Sequence, residues 1–380
     1  MHIDELLKIG VEYEASDLHI RTANYPILRI HGELQTLTQF PILSSEDTAE
    51  FVQQVTDESQ RATLKKNLDM ELAYTIKDWG RFRGNIYHQR GTYAMAWRII
   101  PYKIKTIKEL LLPPVLESIA MERRGLVLLT GATGSGKTTT LSAMIDHINS
   151  HKASNIITLE DPIELLHKDK KSNISQRDIG IDVLSFPRGL NAALREDPDV
   201  IMVGSMRHKE TIETVLHAAE TGHLVLSCVH TLDAPEAINR IVSMFDPYQQ
   251  QQIRYQLGSV LKSVISMRLI PKKDGLGRVP ACEVMINTPY IAECIQHRKK
   301  TDLITDAIAA GTSQYGMQTF DQSIHYLYTK GHISYEQGLD YSSDPNNFKL
   351  KVMGVRRSVD HALDEMEQSM DLDKDKRANK

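Results

Sequence analysis

The chain has 380 residues, of which 41% are hydrophobic and 25% are charged, and this is enough to form two globular domains with a sizeable core. Its aromatic content is only 6% and its formal net charge is −4, so neither base stacking nor bulk positive charge favours nucleic-acid binding. The three cysteines lack CxxC spacing, which argues against a disulfide framework and a zinc knuckle and fits a reducing cytoplasm.

The sequence also argues against direct membrane attachment. The N-terminal segment is broken by charges and lacks the apolar core of a signal peptide. No apolar run reaches the roughly 18 residues that are needed to span a bilayer. We therefore expect a cytoplasmic protein whose role at a membrane depends on partner proteins.

Residues 1–102 are predicted to form a compact α/β domain. Short apolar stretches predict strands at residues 18–20, 27–30 and 95–99. Ser44 begins an acidic run that has the pattern of a capped helix. Pro101 and the lysine-rich stretch after it, closed by a Pro-Pro pair, predict a linker over residues 103–114.

Residues 115–355 are predicted to form a second α/β domain. Its clearest strands are apolar runs at residues 126–129, 156–159, 200–203 and 224–227. Continuous apolar strands that alternate with helices are typical of a parallel sheet covered on both faces. Helices are expected to dominate after Gln249. Residues 356–380, rich in charges of both signs, are predicted to form a flexible tail.

A phosphate-binding loop follows the first of these strands. The sequence GATGSGKT, from Gly131 to Thr138, matches the pattern G-x-x-x-x-G-K-[ST] and precedes a helix predicted over residues 139–148. Lys137 is expected to contact the β- and γ-phosphates, and Thr138 to offer its hydroxyl to Mg²⁺. Because no guanine-reading N-K-x-D sequence follows, we expect ATP. The predicted nucleotide-binding residues are Gly131, Thr133, Gly134, Ser135, Gly136, Lys137, Thr138 and Thr139.

Carboxylates are expected beside this loop, because Mg²⁺ or the attacking water must be held there. Glu160 and Glu164 follow the second strand, although away from a phosphate loop they would form an ordinary acidic turn. The strand at residues 200–203 is the natural Walker B candidate. However, Ser205 occupies the position where a glutamate would polarise water, and a serine hydroxyl is a poor base.

Histidines and arginines extend the candidate site. His223 and His230 flank the fourth strand, and they are either γ-phosphate sensors or ordinary residues near a strand end. Arg83 and Arg98 belong to the first domain. They could reach a nucleotide on a neighbouring subunit as arginine fingers, or they could be solvated charges at a strand edge.

Four ordered segments resemble the secretion and pilus-motor ATPase family, and within it the PilT/PilU retraction branch. They are GATGSGKTTTLSAMIDHIN, ITLEDPIELLH, LREDPDVIMVGSMR and AAETGHLVLSCVHT, which match the Walker A, Asp, Walker B and His boxes. The resemblance covers nearly the whole chain. It implies a PAS-like N-terminal domain, a RecA-like P-loop ATPase domain, and a homo-hexameric ring with ATP and Mg²⁺ bound between subunits. It also implies an inner-membrane pilus platform protein as a partner.

The resemblance assigns catalytic roles by position. Glu160 and Glu164 belong to the Asp box, His230 is the γ-phosphate contact, and Arg83 and Arg98 match arginines that reach across to bound ATP. Extension motors usually carry an extra N-terminal domain and a tetracysteine zinc site, which this chain lacks, so we expect retraction. The segments EVMINTPYIAECI and GMQTFDQ look more like PilU than PilT.

Two departures from the family pattern separate two functional hypotheses. The Walker B glutamate is replaced by Ser205, and the retraction motif A-I-R-N-L-I-R-E aligns with residues 290–297, which lack both of its arginines. The first hypothesis is an ATP-driven retraction motor. The second is a hydrolysis-impaired, PilU-like ATP-binding subunit of a mixed motor that contains a related retraction ATPase. A DNA-translocating ATPase is disfavoured by the charge and the low aromatic content.

Overall fold

The computed structural model describes residues 1–30, 32–77, 79–100, 104–275 and 277–354. These residues divide into two compact units. One contains residues up to 104 together with 164–167, and the other contains residues 105–163 and the described chain from 168 onward. The tail predicted for residues 356–380 and the first residue of the predicted linker lie outside the described residues. In the described ranges, no helix has the length and apolarity needed to cross a membrane.

The first unit is an antiparallel sheet with helices. Its strands are β1 (Asp17–Arg21), β2 (Ile27–Ile30), β3 (Glu33–Thr36), β4 (Asp69–Ile76), β5 (Gly80–Gln89) and β6 (Thr92–Ile100). Their order in the sheet is β3-β2-β1-β6-β5-β4. The helices are α1 (Ile3–Glu12), α2 (Ser45–Val55) and α3 (Glu58–Asn67). The three strands predicted here are confirmed, and so is the capped helix, since Ser44 and Asp47 form a reciprocal capping box at the start of α2.

The second unit is built on a mixed sheet of the order β13-β12-β7-β11-β10-β8-β9. Its strands are β7 (Gly125–Thr130), β8 (Asn155–Glu160), β9 (Asn173–Asp178), β10 (Val200–Val203), β11 (Leu224–Val229), β12 (Leu261–Pro271) and β13 (Arg278–Ile286). In this order, each pair of neighbouring strands from β12 through to β9 is parallel. The edge strand β13 is antiparallel to β12. The four strands predicted from apolar runs are all present in this parallel part.

Helices surround this sheet in the described chain. They are α4 (Val115–Ala120), α5 (Lys137–His151), α6 (Phe186–Ala193), α7 (Lys209–Glu220), α8 (Ala234–Ser243), α9 (Gln250–Val260), α10 (Pro289–Gln296), α11 (Ile304–Ala310), α12 (Thr312–Tyr315), α13 (Phe320–Thr329), α14 (Tyr335–Tyr341) and α15 (Pro345–Val352), with a 3₁₀ helix at Arg298–Leu303.

Both faces of the second sheet are covered. In β7, Leu126 and Leu128 pack into one hydrophobic core, whereas Val127 and Leu129 pack into the core on the opposite face. Side chains alternate between faces along a strand, so a strand that is apolar at every position is buried twice. This explains why β7 reads as a continuous apolar run.

Helices dominate the described chain after Gln249, as expected, but two strands lie among them. The long strands β12 and β13 form a paired hairpin there, and they extend the sheet beyond β7. The run from Leu261 to Pro271 mixes apolar, small and basic residues, and it continues without a break from helix α9. Its periodicity therefore does not mark where the helix ends and the strand begins.

Candidate nucleotide site

The candidate site lies at the edge of the second sheet where the parallel strands end. Thr130 at the end of β7 pairs with Val229 at the end of β11, and Val203 of β10 pairs with Leu159 of β8. In α/β sheets, ligands bind outside the carboxyl ends of the strands. The phosphate loop directly follows Thr130. Three other predicted site residues share this edge: Glu160, Ser205 and His230.

Backbone geometry shapes the loop between β7 and α5. Gly131 has a φ of 147°, and a Cβ atom there would lie 2.5 Å from the Oγ of Ser135 and 2.6 Å from the carbonyl oxygen of Met267. Any side chain at Gly131 would therefore force the loop away from β12. Gly136, with a φ of 94°, is the N-cap of α5. The free amide groups of this helix terminus consequently face the loop, as an anion site requires.

Lys137 and Ser135 indicate that the loop fits a phosphate group. The Nζ of Lys137 donates hydrogen bonds to the carbonyl oxygens of Gly131 and Ala132, both at 2.8 Å, and the residue is only 7% exposed. The ammonium group thus lies within the loop. The hydroxyl of Ser135 is buried and makes no hydrogen bond within the described part of the chain. A buried unpaired hydroxyl is unfavourable, and a phosphate oxygen would satisfy it.

The remaining loop residues are accessible. Thr133, Gly134 and Thr139 are exposed, and Thr138 is half-buried in the first turn of α5. Over the described ranges, no cluster of three or more His, Cys, Asp or Glu side chains could hold a metal ion. The role of the Thr138 hydroxyl toward Mg²⁺ stays a prediction.

Glu160 is a buried carboxylate at the end of β8, with 3% of its surface exposed. Its Oε1 accepts hydrogen bonds from the hydroxyl of Thr158 at 2.7 Å and from the side-chain amide of Gln176 at 3.0 Å. Because these donors lie on β8 and β9, the sheet itself orients the carboxylate. Glu164, in contrast, belongs to the segment that is grouped with the first unit, so the two predicted glutamates fall in different units.

Ser205 is held close to the end of β8. The amide of Gly204, just before it, donates to the carbonyl oxygen of Leu159 at 2.8 Å, and a Cβ atom at Gly204 would lie 3.5 Å from the Cα of Glu160. Ser205 is half-buried. The strand end that would carry a catalytic carboxylate therefore presents a neutral hydroxyl, one strand away from the carboxylate of Glu160.

The structure separates the two candidate histidines. His230 lies directly after the end of β11. Its pKa is lowered first by partial loss of solvent around the imidazole and then by the positive charges of Lys137 and Arg207. His223 precedes β11, and its carbonyl oxygen accepts a hydrogen bond from the amide of Gly125, the first residue of β7. Of the two, only His230 shares an edge with the phosphate loop. His223 lies at the opposite edge of the sheet.

Sequence reasoning missed Arg207 as a member of this edge. It follows β10 and is close enough to His230 to affect the pKa of the imidazole. The only signal for it was the basic pair that follows Ser205 in the sequence GSMRH. Arg207 is exposed, so it adds an accessible positive charge to the edge where phosphates are expected.

Comparison with known proteins defines the family. Residues 108–324, more than half of the chain, match the family described as type II/IV secretion system protein. The chain belongs to this family. It is 37% identical to the type IV pilus ATPase PilU of Pseudomonas aeruginosa, over 98% of this chain and 97% of that protein. It is 40% identical to the type IV pilus retractation ATPase PilT of the same organism, over 92% of this chain and 100% of that protein.

A solved structure supports the same assignment. The crystal structure of the pilus retraction motor PilT with bound ADP is 43% identical to this chain, covers 91% of it and 98% of its own length, and has a TM-score of 0.82. The resemblance predicted from the four boxes is confirmed. So are the ATPase class, nucleotide binding, and the α/β fold with an N-terminal domain followed by an ATPase domain.

In this secretion-family ATPase, the two predicted finger arginines are cross-strand partners in the first unit. Arg83 of β5 pairs in register with Arg98 of β6. The Nη2 of Arg83 lies 2.6 Å from a carboxylate oxygen of Glu71, and the Nε of Arg98 lies 3.4 Å from one of Asp17. The side chain of Arg98 is 74% exposed. Exposed ion pairs contribute little stability, so these contacts leave the guanidinium groups able to change partner. Their role across a subunit interface stays a prediction.

ATP binding is predicted to raise the pKa of His230. In the free protein, partial removal of the imidazole from water, followed by the positive charges of Lys137 and Arg207, holds that pKa below its usual range, although His230 is exposed. A γ-phosphate beside it would favour the protonated form. Affinity for a non-hydrolysable ATP analogue should therefore increase as the pH falls from about 7.5 to about 6, with proton uptake. Isothermal titration calorimetry in buffers of different ionisation enthalpy measures this uptake.

His230→Gln provides the control for this measurement. Glutamine keeps a polar side chain and does not titrate, so the proton uptake that is due to His230 should disappear. Uptake that is the same in the native protein and the variant would show that His230 does not lie beside the γ-phosphate.

Proposed function

We propose that this chain is an ATP-dependent subunit of the motor that retracts type IV pili and thereby supports twitching motility. The observation that carries the proposal is its likeness, over nearly its whole length, to PilU and PilT. The proposal includes a hexameric ring with ATP and Mg²⁺ bound between subunits. It places this ring at the cytoplasmic side of the inner membrane, where it acts through a pilus platform protein.

In the proposed mechanism, residues of both domains contact the nucleotide, and each has a distinct task. Lys137 holds the β- and γ-phosphates, and Thr138 completes the metal site when Mg²⁺ accompanies the nucleotide. His230 contacts the γ-phosphate and so distinguishes ATP from ADP. Arg83 and Arg98 reach the nucleotide from a neighbouring subunit. Binding and release of ATP then rotate the two domains of each subunit, and this rotation is passed to the platform protein.

A second candidate function follows from Ser205. In this form of the proposal the chain binds ATP but hydrolyses it slowly, and it works as a PilU-like accessory subunit beside a related retraction ATPase. The buried carboxylate of Glu160 remains at the site, but it lies on β8 and not at position 205. The chain would then contribute nucleotide-dependent shape changes to a mixed motor while its partner supplies most of the turnover.

The retraction role is tested in cells that lack this chain. Retraction of fluorescently labelled pili should become less frequent or weaker, and the native gene should restore it. Lys137→Ala should not restore retraction, because the ammonium group inside the phosphate loop is lost. Lys152→Ala, at the far end of α5, is the matched control and should restore it. Normal retraction without the chain would contradict the proposal, as would full rescue by Lys137→Ala.

The two candidate functions are separated by Ser205→Glu. If the accessory form is correct, the variant should increase kcat about 10²–10⁴-fold, the usual contribution of a positioned general base, with little change in ATP affinity. Steady-state ATPase assays on material that mass photometry shows to be hexameric provide the measurement. A native chain that already turns over at a normal motor rate, and that gains nothing from the glutamate, would exclude the accessory form.

A further inference from the structure

Glu283 is a buried carboxylate that the proposed mechanism does not use. It lies on β13 and is 4% exposed. Its Oε1 accepts hydrogen bonds from the backbone amide of Ala234 at 2.9 Å and from the hydroxyl of Ser266 at 3.0 Å. Burial raises the pKa of Glu283 above its usual range. Burial of a carboxyl group costs desolvation free energy, which an apolar side chain of similar size would avoid. The hydrogen bonds of Glu283 are therefore expected to serve a specific structural purpose.

The position of Glu283 in the sheet connects it with the phosphate loop. In register, Glu283 of β13 pairs with Ser266 of β12, which in turn pairs with Thr130 of β7. Leu128 lies two residues before Thr130 in β7, and Met285 lies two residues after Glu283 in β13. Both belong to the same hydrophobic core. Because alternate residues share a face, the three polar residues form a buried row on that face. The row stands immediately before the phosphate loop begins.

This polar row holds the segment that directly follows His230. On one side, the backbone amide of Thr231 donates to the hydroxyl of Thr130 at 3.1 Å. On the other side, the amide of Ala234, the first residue of α8, donates to Glu283. His230 thus precedes a short segment that is attached at both ends to strands of the sheet. One attachment is to the strand that leads into the phosphate loop, and the other is to Glu283.

We propose that Glu283 is a positioning residue that fixes the segment after His230 relative to the phosphate loop, so that the imidazole meets the γ-phosphate of ATP. The proposal rests on the proposed function of His230. Glu283 itself touches no nucleotide. It acts by accepting a hydrogen bond that would otherwise be left unmade at the start of α8. Loss of that acceptor should loosen the segment and weaken the recognition of ATP, while ADP binding through Lys137 should be preserved.

Two substitutions separate the acceptor from the charge. Glu283→Gln keeps an oxygen that can accept both hydrogen bonds, whereas Glu283→Leu has a similar size and accepts none. In the full-length protein with Mg²⁺, Glu283→Leu should weaken binding of a non-hydrolysable ATP analogue about tenfold, the effect expected from losing one hydrogen-bonded contact, and change ADP binding less than about twofold. Glu283→Gln should remain within about twofold of the native protein for both nucleotides.

Amide hydrogen exchange of the nucleotide-free protein tests the anchoring directly. A peptide that covers residues 230–238 should exchange faster in Glu283→Leu and at the native rate in Glu283→Gln, because local opening depends on this bond. Ser266→Ala is the matched control: it removes the other hydrogen bond of Glu283 and leaves the bond to Ala234. It should therefore keep native exchange in this peptide. If the leucine variant does not fold, Glu283→Ser replaces it, since serine is too short to reach Ala234.

The outcomes distinguish this proposal from the one on which it rests. Unchanged exchange in the acceptor-free variant, or equal losses of ATP and ADP binding, would overturn the positioning role. Equal damage from glutamine and leucine would overturn it as well. His230→Ala serves as the reference for the proposed function. If this variant binds the ATP analogue and ADP like the native protein, the γ-phosphate role of His230 fails, and the anchoring by Glu283 is decided by the exchange rates alone.

Discussion

The parallel alignment of four strand ends is the constraint on which the rest of the nucleotide site depends. Because β7, β11, β10 and β8 pair in parallel and without a break in register, the phosphate loop and the groups after the other three strands meet at one edge. A shift of one residue would turn each side chain to the other face of the sheet. Because both faces of these strands are buried in closely packed cores, such a shift would replace the packing on both faces at once.

The same alignment separates nucleotide binding from hydrolysis. Binding depends on groups within one loop, where Gly131 allows close packing and Lys137 and Ser135 are directed inward. In the proposed mechanism, hydrolysis depends on a carboxylate at the end of a different strand, and there the chain has Ser205. A protein of this family can therefore keep ATP-dependent shape changes while its turnover falls.

Sequence patterns predicted the parts of the fold in which the residue types within one short segment are enough to specify its structure. The apolar strands and the phosphate loop are of this kind, and so is the helix that Ser44 caps. The edge strand β9, with the polar sequence NISQRD, has no apolar signal and was missed. Glu283 could not be recognised either, because its importance depends on the register of β13 and on the distant start of α8. The nearness of Glu164 to Glu160 in sequence did not predict that they fall in different units.

A single-turnover experiment on the native chain tests the central claim most directly, namely that the phosphate loop binds ATP, and it also separates the two candidate functions. Excess hexameric protein is mixed with radiolabelled ATP and Mg²⁺, and bound ATP and ADP are separated over time after an acid quench. The account predicts rapid capture of ATP, which is then converted to ADP at a motor rate in the first candidate function and about 10²–10⁴-fold more slowly in the accessory form. A native chain that does not capture ATP, or that captures it no better than Lys137→Ala, would contradict the account.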